Sequence, residues 1–135
     1  ERALRWGRPN PYAIEAAIAA VHARAERSEE TDWRQIADLY GILARLRPSP
    51  VVELNRAVAI AMADGPEAGL ARLDDLVASG ALADYHLLPA ARADLLRRLG
   101  RTEQAAMAYR EALTLARLGP EREFLARRLA EIEAG

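Results

Sequence analysis

The chain has 135 residues, which suits one domain with a real core, and 51% of them are hydrophobic, which excludes a disordered segment. The net charge of −1 gives no global pull toward nucleic acid or an anionic membrane surface. With no cysteine, disulfides and thiolate metal sites are excluded, and no apolar run approaches the roughly 18 residues that span a bilayer.

In chain order, Glu1–Trp6 reads as the tail of an earlier helix, so residues 1–9 are assigned to a tail and linker and residues 10–135 to the domain proper. Helix starts are marked by proline at the first helical position, where its missing N–H costs nothing. Asn10-Pro11, Ser49-Pro50, Gly65-Pro66 and Gly119-Pro120 all fit, and Asn10 and Ser49 add side-chain caps. Asp32 opens a further helix, with Gln35 completing a capping box. The first helix is expected over Pro11–Arg27, with Ile14, Ala17, Ile18, Val21 and Ala25 on one face. The second runs Asp32–Arg47, with Trp33, Ile36, Ala37, Tyr40, Leu43 and Ala44 at the same spacing. Pro48 ends it, because the residue before proline avoids helical geometry.

The third helix, Pro50–Ala63, is apolar nearly all round past Glu53, Asn55 and Arg56, which predicts a central, buried element. The fourth spans Pro66–Ala78 and is followed by a loop over Ser79–Asp84. The fifth ends at Leu99 and starts at Tyr85–Leu87, since Pro89 forbids an earlier start. The sixth covers Thr102–Arg117, and the seventh, Pro120–Ala134, is expected to pack Phe124, Leu125, Leu129 and Ile132 while its other face stays wet. No strand pattern appears, so the fold class is all-α.

Gly100 separates two helices that carry small residues at Ala93, Ala105 and Ala112 and an aromatic at Tyr109, and a similar glycine turn stands at Gly65, 35 positions earlier. A helix–turn–helix unit with a period of about 34 residues is the tetratricopeptide (TPR) signature. The predicted architecture is a TPR-like array of three helical hairpins plus a C-terminal capping helix. Such arrays bind other macromolecules along a concave wall.

Chemistry-bearing motifs are absent. His22 and His86 are the only histidines and have no second histidine at helical spacing, whereas catalytic zinc wants three converging ligands. Ser28, Ser49 and Ser79 sit at turns or caps, outside any Gly-x-Ser-x-Gly elbow, and no glycine-rich phosphate loop occurs. Neither a metal nor a cofactor is expected, and catalysis only if His22 or His86 meets a carboxylate in a cleft. The candidate partner-binding residues are Asn55 and Arg56, polar side chains in the most apolar helix, and Arg92, Asp94, Arg97 and Arg98 on the fifth. Two readings stand for the first pair: contacts on the inner wall, or Asn55 bonding a loop carbonyl and Arg56 pairing with a carboxylate. For the fifth helix the choice is a charged groove or a solvated face. Trp33 and Tyr40 are read as core first, the other reading being binding aromatics. All 19 basic residues are arginine.

Several runs together resemble a known family. They are Gly7-Arg8-Pro9 with Pro11-Tyr12, Ala16-Ala17-Ile18-Ala19-Ala20-Val21-His22-Ala23, Thr31-Asp32-Trp33 with Leu39-Tyr40, and Arg47-Pro48-Ser49-Pro50-Val51-Val52. They continue through Leu54-Asn55-Arg56-Ala57-Val58-Ala59, Gly65-Pro66, Ala90-Ala91-Arg92-Ala93, Leu95-Leu96-Arg97-Arg98-Leu99-Gly100-Arg101, and Phe124-Leu125 with Arg128-Leu129-Ala130-Glu131. In order and over nearly the whole chain, this resembles the C-terminal TPR-like extension of a group of bacterial extracytoplasmic-function (sigma-70 family) RNA polymerase sigma factors. The resemblance implies promoter recognition and transcription initiation for the parent, whose promoter-contacting regions lie N-terminal to this segment, and a regulatory, cytoplasmic role for the segment itself. Implied partners are the sigma regions of the same chain, the polymerase core or a regulatory protein, with no direct DNA contact. Arg117 stands where the TPR pattern usually has proline, and Pro89 where it usually has a large aromatic, so recognition of peptide C-termini is not carried over. The alternatives are a free-standing adaptor, or a small-molecule sensor with an enclosed apolar cavity between the third and fifth helices near Asn55.

Overall fold

The computed structural model describes residues 10–28 and 31–135, with the side chains of 25–28 left aside; the tail assigned to residues 1–9 lies outside them. Seven helices follow in order: α1 (Pro11–Ser28), α2 (Trp33–Leu46), α3 (Pro50–Asp64), α4 (Pro66–Ser79), α5 (Leu87–Arg98), α6 (Thr102–Leu115) and α7 (Gly119–Ala134). No strand occurs among the described residues. Each helix packs on the next, giving the expected all-α array of hairpins.

The caps are those the sequence calls for. The Asn10 side chain accepts from the Ala13 amide at 2.9 Å, Asp32 from Gln35 at 3.0 Å, and Ser49 from Val51 at 3.2 Å. The box at Asp32 is only half formed: Gln35 turns its side-chain oxygen to Arg24 on α1, 3.3 Å away, and so ties the first two helices together. Gly65 and Gly100 close α3 and α5 with φ of 109° and 77°, a region that side chains with a Cβ avoid. α5 begins at Leu87, the late end of its expected start, with Pro89 in the first turn, where no donor is needed. α6 stops two residues short of Arg117. Ala116 is extended, and the Arg122 guanidinium donates to the carbonyls of Leu113 and Ala116, closing the helix end.

Two clusters form the core. Ile14, Ile18, Val21, Ile36, Leu39 and Leu43 pack around Ala59 and Ile60 of α3. Leu54, Ala57 and Ala61 of α3 join the second cluster, with Leu73, Leu88, Ala93, Leu96, Ala105, Ala112, Leu125 and the fully buried Tyr109. α3 therefore lies in both clusters. Its contact with α4 is close: a Cβ on Gly69 would stand 2.4 Å from the Ala61 Cβ and 2.6 Å from the Ala57 carbonyl oxygen.

Two expectations about burial are corrected. α3 is not buried all round: Val51, Asn55 and Met62 are exposed and Val58 half-buried, a stripe at helical spacing, with Arg56 half-buried and Asp64 exposed on another face. Leu125, Leu129 and Ile132 of α7 do face the core, but Phe124 is 46% exposed, with the Arg128 guanidinium stacked over its ring at 5.3 Å.

Candidate functional site

The first helices of the three hairpins, α1, α3 and α5, border a groove in two parts. Between α3 and α5 it encloses about 410 Å3 and is lined by Asn55, Val58 and Met62 from one side and Leu87, Ala91, Asp94 and Arg98 from the other, with Trp33 at one end. Between α1 and α3 it encloses about 490 Å3, lined by Glu15, Ile18, Ala19 and His22 of α1 and Val51, Val52 and Asn55 of α3, with Tyr40 and Leu43 of α2. Asn55 borders both parts. The helical period explains the lining: residues at i, i+4, i+7 and i+11 share one face, which on α3 selects Val51, Asn55, Val58 and Met62, and on α5 Leu87, Ala91, Asp94 and Arg98.

The polar rim is set by one carboxylate. Asp94 accepts from Arg97 at 2.6 Å and pairs with Arg98 at 3.0 Å. The bond Arg97 donates to Asp94, helped by the Tyr109 hydroxyl, raises the Arg97 guanidinium above its ordinary pKa. Arg98 also reaches across the groove to α3, its Nη1 standing 3.2 Å from the Met62 sulfur. Asn55 makes no side-chain hydrogen bond among the described residues, so the loop-carbonyl reading fails and its amide is open to the groove. Below it, burial and then the Glu15 charge raise the Tyr40 phenol above its usual value.

Of the six candidate residues, the structure brings Asn55, Asp94 and Arg98 together at the groove, with Arg97 held to Asp94. Arg56 and Arg92 lie elsewhere. Arg56 is one position past Asn55, a rotation of roughly 100°, and faces the opposite side of α3, against Gly41 of α2 and 4.0 Å from Glu53. Arg92 donates to Asp74 of α4 at 2.9 Å and borders a separate hollow of about 220 Å3 among α4, α5 and α6. The sequence reading missed Val51, Val58, Met62 and Leu87; Trp33 and Tyr40, read as core, do pack against the first cluster, half-buried, and also border the groove. The available signal was the i, i+4, i+7, i+11 series centred on Asn55. Trp33 is half-buried and meets the His22 ring edge-on at 5.6 Å. His86 pairs with Glu121 at 3.3 Å, joining the start of α5 to α7, and lines neither part of the groove. No group of three histidine or carboxylate side chains is placed to hold a metal among the described residues, and no helix there is long and apolar enough to cross a membrane.

No protein-family profile and no solved structure matches the chain. It is 46% identical over 134 residues to an uncharacterized protein of Rhizobium meliloti (strain 1021), a match covering 99% of this chain and 31% of that protein. The chain thus spans about a third of the length of the curated relative it matches.

Proposed function

We propose that this helical array is the C-terminal regulatory extension of an extracytoplasmic-function RNA polymerase sigma factor, and that its groove is a protein-docking surface. The observation that carries the reading is the groove itself. It follows α1, α3 and α5, has an apolar floor at Leu54, Val58 and Leu95, and is rimmed by Asn55, the exposed Met62 and Leu87, and the Asp94–Arg98 pair. An amphipathic helix meets such a surface well, its apolar side chains on the floor and its polar flanks at the rim. The family resemblance, which spans nearly the whole chain, supports the link to transcription. The relative's much greater length supports a unit that works within a longer protein rather than as a free-standing adaptor.

In this reading the occupant is a segment of the parent's own sigma regions, of the polymerase core or of a regulator, within the bacterial cytoplasm. Docking biases the factor between competent and silent states by the difference in affinity for the two. No catalysis and no DNA contact are assigned to the array. The sensor alternative called for an enclosed cavity near Asn55; the hollow there is an open groove bordered by the exposed Met62 and Leu87.

The test is transcription in vitro from a dependent promoter with the full-length parent carrying Met62→Glu and Leu87→Glu. Both side chains are exposed, so the fold is expected to survive, which circular dichroism checks. The reading expects a several-fold change in transcript yield. Unchanged yield from a folded variant overturns it.

A further inference from the structure

The face of α3 opposite the groove borders a second hollow, of about 560 Å3, between α2, α3 and α4. Four arginines line it: Arg34 and Arg45 from α2, Arg56 from α3 and Arg72 from α4. Asp38 and Asp64 are its acidic residues. Arg34 is committed to Asp64, at 3.2 Å. Arg56 has only Glu53, at the 4.0 Å limit of an ion pair, and its guanidinium lies along Gly41, where a Cβ would stand 3.5 Å from Nη2. A side chain longer than a methyl at position 41 would take the guanidinium's place. Arg45 and Arg72 make no ion pair or hydrogen bond among the described residues, and neither does Asp38. Three guanidiniums thus face one free carboxylate inside a single hollow. The chain as a whole carries 20 acidic against 19 basic residues, and elsewhere arginines such as Arg92, Arg98, Arg101 and Arg110 each have a carboxylate. The first turn of α4 adds Ala68 to the lining; that turn also carries Glu67, which pairs with Arg101 at the start of α6, so the helix end is not counted among the hollow's positive groups.

We propose that this hollow binds a small anion through a phosphate group, either inorganic or carried on a nucleoside. Guanidinium forks match phosphate oxygens two at a time, and a group with more than one negative charge answers an excess of two cations where a single carboxylate answers one. The volume lies in the range of small-molecule sites, roughly 300–1,000 Å3. The assignment does not depend on the docking reading, because α3 separates the two faces.

The test is isothermal titration calorimetry on the 135-residue chain at fixed ionic strength, with sodium pyrophosphate, ADP and a polyglutamate peptide as probes. Saturable binding of pyrophosphate or ADP is expected, weakened about tenfold or more by Arg45→Gln with Arg72→Gln and unchanged by the remote Arg117→Gln. Both altered residues are exposed, and circular dichroism confirms that the variant is folded. Equal affinities for pyrophosphate and ADP assign the site to the phosphate alone; tighter ADP assigns it to a nucleotide. The absence of saturable heat from both, equal weakening by Arg117→Gln, or binding of polyglutamate alone overturns the proposal.

Discussion

The α1–α2 hairpin and the α3–α7 region are packed with different side chains. In the first, branched residues dominate: Ile14, Ile18, Val21, Ile36, Leu39 and Leu43, which with Ala37 pack on Ala59 and Ile60 of α3. In the second, alanines (Ala57, Ala61, Ala93, Ala105, Ala108, Ala112) surround leucines and one buried aromatic, Tyr109. Side-chain size at a helix contact sets the distance between the axes. Where alanine and glycine face each other, as Ala61 and Gly69 do, α3 and α4 come close enough to leave no room for a methyl group. Where bulkier chains face each other no such close approach is forced, and a groove of about 490 Å3 lies beside α1. α3 takes part in both regions, so the comparison turns on whether it couples them.

The sharpest way to break the comparison is to damage each region and follow both. Tyr109→Ala is expected to cost about 3–5 kcal/mol and Ile36→Ala about 2–4 kcal/mol in urea unfolding, because each leaves a cavity in a fully buried site. If α3 couples the two regions, fluorescence from Trp33, read in a Trp6→Phe background, and helicity by circular dichroism fall in one coincident transition for both variants. Two separated transitions would show independent units.

A single substitution with opposite signs in two places sharpens the contrast further. Gly69→Ala is expected to destabilise by about 1–2 kcal/mol: the clash with Ala61 outweighs the helix-propensity gain. Gly41→Ala meets only the Arg56 guanidinium, at ordinary contact distance, and is expected to be neutral or to stabilise by up to about 1 kcal/mol. Thermal unfolding of the two variants side by side checks the order. The smallest expected effect is at the surface: Arg92→Gln removes a partly exposed pair with Asp74 and should cost under about 1 kcal/mol, less at high salt.

The helices and their starts were legible because proline at the first helical position and glycine at the last leave the chain few other conformations, as at Pro50, Pro66 and Gly100. The open side of α3 was harder. With Ala57, Ala59 and Ala61 on its flanks, the helix is apolar around most of its circumference, and hydrophobicity alone does not say which apolar residues meet a neighbour. The direction of Arg56 and Arg92 was lost for a related reason: neighbouring positions on a helix point about 100° apart, so adjacency to Asn55 or to the Asp94 face carries no information about a shared wall. Phe124 was misread because Arg128, one turn later, covers its ring at the surface. The arginine hollow was invisible in the sequence, since Arg34, Arg45, Arg56 and Arg72 come from three helices and no spacing connects them.

Docking along the α1–α3–α5 groove is tested most directly by site-specific photo-crosslinking in the full-length parent with core polymerase present. A photoreactive residue at position 55, where Asn55 borders both parts of the groove, should yield a crosslink that maps to the sigma regions or to a polymerase subunit, and the same residue at position 117 should yield none. No product from position 55, or equal products from both positions, would contradict the account.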